Sequence, residues 1–179
     1  MGTSVWNGWE YAWWLVLIFQ VFSHGLFFIF PKHVVQRFAA VPAVKNYNLA
    51  AGITFYAFLL LLSFSRIYFD VYSLMLSEML YFVMLMLFVA SIFFFAINEI
   101  HLPASTGLYR ISRHPVYVST YGVMLSGILI TRNWYLLLLW LLYIYLNHFI
   151  VLAEEQHLLK QFGKDYKEYM DRTPRYFVW

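Results

Sequence analysis

Residues 116–153 read VYVSTYGVMLSGILITRNWYLLLLWLLYIYLNHFIVLA, an apolar block in which Arg132 is the one residue among Asp, Glu, Lys and Arg. A helix needs about 20 apolar residues to cross the hydrocarbon core of a bilayer, so this block is too long for one crossing. The polar triplet Thr-Arg-Asn at residues 131–133 interrupts the block near its middle. The sequence therefore predicts a tight helical hairpin, with helices over residues 116–130 and 134–153.

Three further apolar stretches precede the hairpin, at residues 11–30, 49–64 and 74–97. The first is too long for the apolar core of a signal peptide and follows Glu10 rather than a basic segment, so we interpret it as a retained helix. Together with the hairpin, these stretches predict about five transmembrane helices.

The composition independently predicts an all-α integral membrane protein. Hydrophobic residues make up 63% of the chain and charged residues 12%, whereas soluble domains have about 45–50% and about 25%. We expect one domain over residues 1–179, with three N-terminal helices in 1–97 and the remaining helices in 98–179. The chain has no cysteine, which excludes disulfides and thiolate metal sites. The net charge of +3 is too small to predict a nucleic-acid partner.

The basic residues predict the orientation in the membrane. Five crossings leave Arg66 and Arg132 on one side and place the other basic residues on the opposite side. These are Lys32, Arg37, Lys45, Arg110, Arg113, Lys160, Lys164, Lys167, Arg172 and Arg175. The positive-inside rule then predicts an outside N-terminus and a cytoplasmic C-terminus. Residues 156–179 form a charged tail, predicted to be helical through about Met170 and to lie at the membrane surface or cap the bundle.

Polar residues concentrate at three places, residues 98–101, 109–117 and 154–157. The five-helix topology brings all three to the cytoplasmic membrane boundary. Polar and charged groups are costly near lipid and often mark function there. We therefore predict a site with a mouth towards the cytosol and walls towards the lipid.

Each polar segment also has a structural interpretation. Arg113-His114-Pro115 is compatible with a basic helix start that has proline in the first turn. The glutamates at 154 and 155 are compatible with a solvated helix end. Glu154-x-x-His157 has the spacing found in di-iron bundles, which require two copies, so we predict no metal site. Glycine-rich phosphate loops and nucleophile elbows do not occur in the sequence.

Two spaced motifs carry a resemblance to a known family. The first is Gly107-x-Tyr109-x-x-x-Arg113-His114-Pro115-x-Tyr117. The second is Glu154-Glu155-x-x-Leu158-x-x-x-Phe162-Gly163-x-x-Tyr166-x-x-Tyr169. In order and spacing they resemble the isoprenylcysteine carboxyl methyltransferase and phospholipid methyltransferase group, over about residues 101–174. Membrane sterol reductases have a related C-terminal pattern.

The resemblance implies an S-adenosylmethionine-dependent methyltransferase with a membrane-resident acceptor, either a lipid amine or a prenylcysteine carboxylate. The implied cofactor-binding residues are His101, Leu102, Pro103, Ala104, Tyr109, Arg113, His114, Pro115, Val116, Tyr117 and Glu154. Glu154 suits the ammonium of the cofactor, and Arg113 or the N–H groups of the following helix start suit its carboxylate. Glu155 and His157 are the candidate catalytic residues.

One position departs from the pattern of the prenylcysteine enzymes. They carry an arginine, proposed to hold the acceptor carboxylate, four residues before the first matched glutamate, where this chain has Ile150. This difference favours a lipid amine as the acceptor. The alternatives are a small NADPH-dependent membrane reductase and a non-catalytic membrane bundle. The oligomeric state has no signature in the sequence.

Overall fold

The computed structural model of the chain describes residues 5–7, 17–21, 25, 44–68, 70–98 and 103–177. Most of the first predicted span, residues 11–30, lies outside this part, as do the predicted site residues His101 and Leu102. The described elements follow one another as β1 (Val5–Asn7), α1 (Lys45–Phe64), β2 (Arg66–Tyr68), α2 (Val71–Ile97), a 3-10 turn (Gly107–Arg110), α3 (Pro115–Thr131), α4 (Trp134–Phe162) and α5 (Lys164–Arg172).

The predicted all-helical class is confirmed, with one short addition. β1 and β2 pair as an antiparallel two-stranded ribbon, in which Trp6 stands opposite Ile67. Three helices are long and apolar enough to cross a membrane, namely Asn46–Phe64, Val71–Ile97 and Trp134–Phe162. The count of five crossings and the orientation of the termini remain predictions.

The shorter helix α3 is the centre of the described bundle, and most of its residues are buried. At 17 residues it is about 25 Å long, less than the hydrocarbon thickness. Small residues let its neighbour approach closely: a Cβ atom added at Gly122 would overlap the side chain of Met84 on α2. Across the same contact, the hydroxyl of Ser77 donates to the carbonyl oxygen of Ser126 at 2.8 Å.

The helices pack as two pairs. α2 lies along α3, and α1 lies along α4. The side chains that face away from these contacts are large and apolar; on α1 they include Leu49, Ile53, Leu60 and Phe64. An apolar exterior over an interior that contains buried serine and threonine suits a bundle surrounded by lipid.

The predicted hairpin between α3 and α4 is confirmed, and its turn is short. Arg132 adopts a left-handed conformation with φ 49° and ends α3. The side chain of Asn133 accepts from the backbone N–H of Tyr135 at 3.0 Å and begins α4. The side chain of Arg132 also contacts Asp70 at 3.3 Å, which joins the turn to the start of α2. The exposed rings of Trp134 and Tyr135 lie side by side at this end of α4, with their centroids 4.0 Å apart.

The predicted end of α4 at residue 153 is wrong. The helix continues to Phe162, so Glu154 and Glu155 lie within it rather than at its end. Leu158 and Phe162 continue the apolar stripe and pack against a tyrosine cluster, which stabilises the extra turns. The helix ends where Gly163 takes φ +54°, a conformation that glycine tolerates, and α5 starts at the next residue. The predicted tail helix is therefore two helices with a break at Gly163.

Candidate functional site

Three segments meet at one end of the bundle: the start of α3, the last third of α4 and the residues after α5. Pro115 occupies the first turn of α3, where a missing N–H costs no hydrogen bond. This start places His114 and Tyr117 against α4. Glu154 and Glu155 of α4 face these two residues, and Arg175 of the tail contacts Glu155.

The carboxylate of Glu155 is held by three cations. The guanidinium of Arg113 lies 3.1 Å from Oε1, and the Nε2 atom of His114 lies 3.3 Å from the same oxygen. Arg175 binds both oxygens, with its Nε at 3.1 Å from each and one terminal nitrogen at 2.7 Å from Oε2. Glu155 is 4% exposed, so its charge requires this pairing. Both oxygens are therefore engaged in structural contacts.

Glu154 has fewer partners and greater exposure. The hydroxyl of Tyr117 donates to its Oε1 at 2.6 Å, and the Nδ1 atom of His114 lies 3.4 Å from its Oε2. Its side chain is 16% exposed, against 5% for Glu155. No arginine or lysine among the described residues pairs with Glu154. It is the carboxylate of the pair that can accept a further cation.

His114 bridges the two glutamates, with one ring nitrogen facing each carboxylate. Burial opposes the charged form of the imidazole, but hydrogen bonds and charge from Glu154 and Glu155 outweigh it and raise the pKa of His114 above 6.5. Because both nitrogens face acceptors, the geometry favours the doubly protonated ring, which donates to both.

The C-terminal segment folds back over the start of α3. The backbone N–H of Arg113 donates to the carbonyl oxygen of Pro174 at 2.9 Å, and the hydroxyl of buried Ser112 donates to the carbonyl oxygen of Arg175 at 3.1 Å. The hydroxyl of Tyr176 lies 3.2 Å from Nδ1 of His148, about two turns along α4 from Glu155. These contacts hold Arg175 in place over Glu155.

A tyrosine cluster of Tyr109, Tyr166 and Tyr169 lies beside the acidic pair. The hydroxyl of Tyr169 donates to the carbonyl oxygen of Tyr109 at 2.6 Å. Burial raises the pKa of Tyr166 and of Tyr169, so both phenols remain neutral at physiological pH. Partly buried Ala104 packs against this cluster. The cluster fixes α5 and the 3-10 turn on the side of the site.

The predicted site residues fall into two groups in space. Arg113, His114, Tyr117, Glu154 and Glu155 form one polar network. The remaining described members are buried or partly buried: Pro103, Ala104, Tyr109, Pro115 and Val116. The second candidate base, His157, is partly buried on α4 and has no polar partner among the described residues.

Sequence reasoning missed Ser112, Arg175 and Tyr176 as members of the site. Arg175 was counted only as one of the basic residues of the tail, since nothing in the sequence around it predicts that it turns back. One signal was present. Glu154 and Glu155 lie together at a membrane boundary, where two adjacent carboxylates require several positive charges, and the tail that follows them is rich in lysine and arginine.

The network lies within a segment that matches a known family. Residues 91–165 match the model of the phospholipid methyltransferase family. The predicted resemblance is confirmed for this segment, which contains α3, α4 and both glutamates. No curated protein and no solved structure gives a significant match. The match supports a membrane methyltransferase in general. Arg175 and Tyr176 lie outside the matched residues.

Proposed function

We propose that this protein transfers a methyl group from S-adenosylmethionine to a lipid amine held in the membrane. One observation carries the proposal. Within the segment that matches the phospholipid methyltransferase family, Glu155 is fully neutralised while its neighbour Glu154 has no arginine or lysine partner among the described residues. The adjacent acids thus have different tasks: Glu155 holds the site together, and Glu154 binds a cation of the ligand.

The polar atoms at the site suit the two charged ends of the cofactor. Glu154 offers a carboxylate for the ammonium. The Nε atom of Arg113 is buried and has no hydrogen-bond partner in the described part of the chain, which suits the carboxylate of the ligand. The N–H groups in the first turn of α3 have no intrahelical partner and favour the same anion. When bound, S-adenosylmethionine supplies an electrophilic methyl group on a positively charged sulfur.

The residues of the chain align the reactants and exclude water. The amine nitrogen forms the new bond to carbon as the carbon–sulfur bond breaks, so the acceptor must first lose its proton. Glu155 is a poor candidate for this proton because three cations hold its carboxylate. His114 is a poor candidate because both of its ring nitrogens already face the carboxylates of Glu154 and Glu155. We therefore assign the proton to the imidazole of His157.

A carboxylate acceptor has weaker support. Ile150, at the position where prenylcysteine enzymes carry arginine, is a buried apolar residue. Arg113 and Arg175 are the arginines at the site, and both pair with Glu155. A carboxylate that entered near Ile150 would lose its hydration without gaining a cation. This supports the amine over the prenylcysteine carboxylate.

Calorimetry on the detergent-purified protein tests the cofactor. We expect S-adenosylmethionine and its demethylated product to bind with micromolar affinity, about 7–8 kcal/mol. Saturable binding of NADPH, with neither sulfur compound binding, would support a sterol-type reductase. A lack of binding of all three would support a non-catalytic bundle.

A methyl-transfer assay with labelled cofactor tests the acceptor. Phosphatidylethanolamine and farnesylcysteine are supplied separately in detergent, and we expect incorporation into the lipid amine. Base-labile incorporation into farnesylcysteine alone would contradict the amine assignment and leave the cofactor assignment intact.

A further inference from the structure

Tyr121 lies in the middle of α3, and its hydroxyl is buried. Its side chain is 9% exposed, and the hydroxyl has no hydrogen-bond partner among the described residues. A hydroxyl taken out of water without a partner destabilises the folded state, so such groups are rare. Tyr145, on the outer face of α4, has its side chain exposed to the surroundings instead.

The ring of Tyr121 connects the polar site to the interior of the bundle. Its centroid is 6.5 Å from that of Tyr117, whose hydroxyl binds Glu154. On its other side, the ring of Tyr143 stands edge-on at 5.9 Å, and Tyr143 in turn lies 5.6 Å from Phe55 of α1. Tyr121 therefore lies between the carboxylate of Glu154 and the apolar residues of α1.

Beyond Phe55 lies an apolar cleft at the junction of the two helix pairs. The cleft is narrow and partly open to the outside. Its lining residues from α1, α2 and α3 include Phe55, Phe58, Leu62, Tyr81, Val123 and Gly127. Because nearly all of its lining is apolar, the cleft is suited to hydrocarbon rather than to a charged ligand.

The order of these features along α3 matches the order of groups along a glycerophospholipid. Tyr117 lies at the charged end of α3. Tyr121 lies one helical turn further along the axis, at about 6 Å, and Gly127, which lines the cleft, lies about 9 Å beyond Tyr121. A phospholipid presents its charged headgroup, then the uncharged ester carbonyls, then the hydrocarbon chains. The hydroxyl of Tyr121, an uncharged donor, thus lies at the level expected for the uncharged ester carbonyls. It stands between the charged site at Glu154 and the apolar cleft.

We propose that Tyr121 is a lipid-binding residue, whose hydroxyl donates to an ester carbonyl of the acceptor while an acyl chain occupies the apolar cleft. The identity of the acceptor as a phospholipid amine rests on the proposed function. The hydroxyl and the cleft, in contrast, predict selectivity for ester-linked chains whether or not methyl transfer occurs. Bound lipid supplies the hydroxyl with the partner that it lacks among the described residues.

The test removes the proposed donor from the protein and the proposed acceptor from the lipid, and compares the two changes. Tyr121→Phe removes the hydroxyl, and a dialkyl ether analogue of phosphatidylethanolamine removes the ester carbonyls. The affinity of delipidated protein for each lipid is measured from lipid-dependent thermal stabilisation in detergent, and KM from methyl transfer. Tyr145→Phe, a tyrosine on the exposed face of α4, is the matched control.

We expect the wild-type protein and Tyr145→Phe to bind the ester lipid about three- to tenfold more tightly than the ether lipid. Tyr121→Phe binds both lipids equally, at the wild-type affinity for the ether lipid. Without lipid, its melting temperature equals or exceeds that of the wild type, because the unpaired hydroxyl is gone. Its affinity for S-adenosylmethionine is unchanged.

Two results would overturn the proposal. One is an unchanged ester preference in Tyr121→Phe. The other is a lower melting temperature of lipid-free Tyr121→Phe, which would assign the hydroxyl to a structural role. Failure of the wild-type protein to bind the sulfur cofactor would instead count against the proposed function, because the comparison of the two lipids needs no cofactor.

Discussion

Arg175 reaches back over twenty residues of chain to bind both carboxylate oxygens of Glu155. The planar guanidinium matches the two oxygens, which gives direction as well as charge. The hydrogen bonds that Arg175 donates to Glu155 raise the pKa of Arg175 further above its already high ordinary value. Because Glu155 belongs to the same helix as Glu154, this contact fixes the tail relative to the proposed cofactor-binding carboxylate.

Glu155→Gln should destabilise the protein, because three cations lose the charge that holds them together. Breaking a buried ion pair from one side typically costs about 3–5 kcal/mol, and the amide that replaces the carboxylate recovers part of it. We expect the free energy of unfolding in detergent to fall by about 3 kcal/mol. A variant with wild-type stability and a selective loss of kcat would show that Glu155 acts in the chemical step instead.

Arg175→Lys should weaken the tail contact, since an ammonium cannot bind both oxygens as the guanidinium does. The side chain of Arg175 is 31% exposed, so solvent screens part of the interaction. We expect a loss of about 1–2 kcal/mol in the free energy of unfolding and faster proteolysis after residue 172. Arg172→Lys, at an exposed position on α5, is the control and should leave both measurements unchanged. Equal sensitivity of the two variants would contradict the role of the contact.

Glu154→Gln should weaken cofactor binding without loss of the fold. A carboxylate that pairs with a cation in a partly desolvated site contributes about 1.5–3 kcal/mol, so Kd for S-adenosylmethionine should rise about tenfold or more. Calorimetry measures the change, and Glu168→Gln on the exposed face of α5 is the control. An unchanged Kd in Glu154→Gln would return this residue to the role of a solvated helix position.

The stability of the site should depend on pH through His114. The pKa of His114 is raised in the folded protein, so the folded state binds the proton more tightly than the unfolded chain does. Its contribution to stability is complete below the ordinary value of 6.5 and declines as the pH rises through the raised pKa. Melting temperatures from about pH 5 to about pH 9 should therefore fall more steeply for the wild type than for His114→Gln. Parallel curves would contradict a protonated bridge between the glutamates.

Two glycine substitutions should have opposite effects on stability. A Cβ atom at Gly122 would overlap Met84, so Gly122→Ala should destabilise the α2–α3 contact by about 1–3 kcal/mol. A Cβ atom at Gly52 on α1 meets no atom within 4 Å in the part of the chain that the structure describes. Gly52→Ala should therefore stabilise the helix by about 0.5–1 kcal/mol. Thermal unfolding of both variants measures the contrast, and destabilisation by Gly52→Ala would show that the α1 surface is covered.

The sequence predicted the elements that depend on local pattern. The hairpin turn follows from three polar residues in an apolar block, and the start of α3 follows from Pro115. The apolar block ends at residue 153 and therefore predicts too early an end for α4, because its pattern does not show the tertiary partners that neutralise Glu155. Contacts such as Arg175 with Glu155 join distant segments, and neither composition nor spacing contains that information.

The length of α4 has a consequence for the membrane in which the protein works. Trp134 and Tyr135 are exposed aromatic residues of the kind that anchor at a bilayer interface, and Glu154 lies 20 residues after Trp134 on the same uninterrupted helix. That interval is about 30 Å, the thickness of a typical hydrocarbon core. In a thicker bilayer the carboxylate would be drawn below the headgroups, and in a thinner one the helix would tilt to keep it level. Hydrophobic mismatch therefore acts directly on Glu154, the proposed cofactor-binding residue. The thickness of the bilayer then sets the depth of this carboxylate in the membrane.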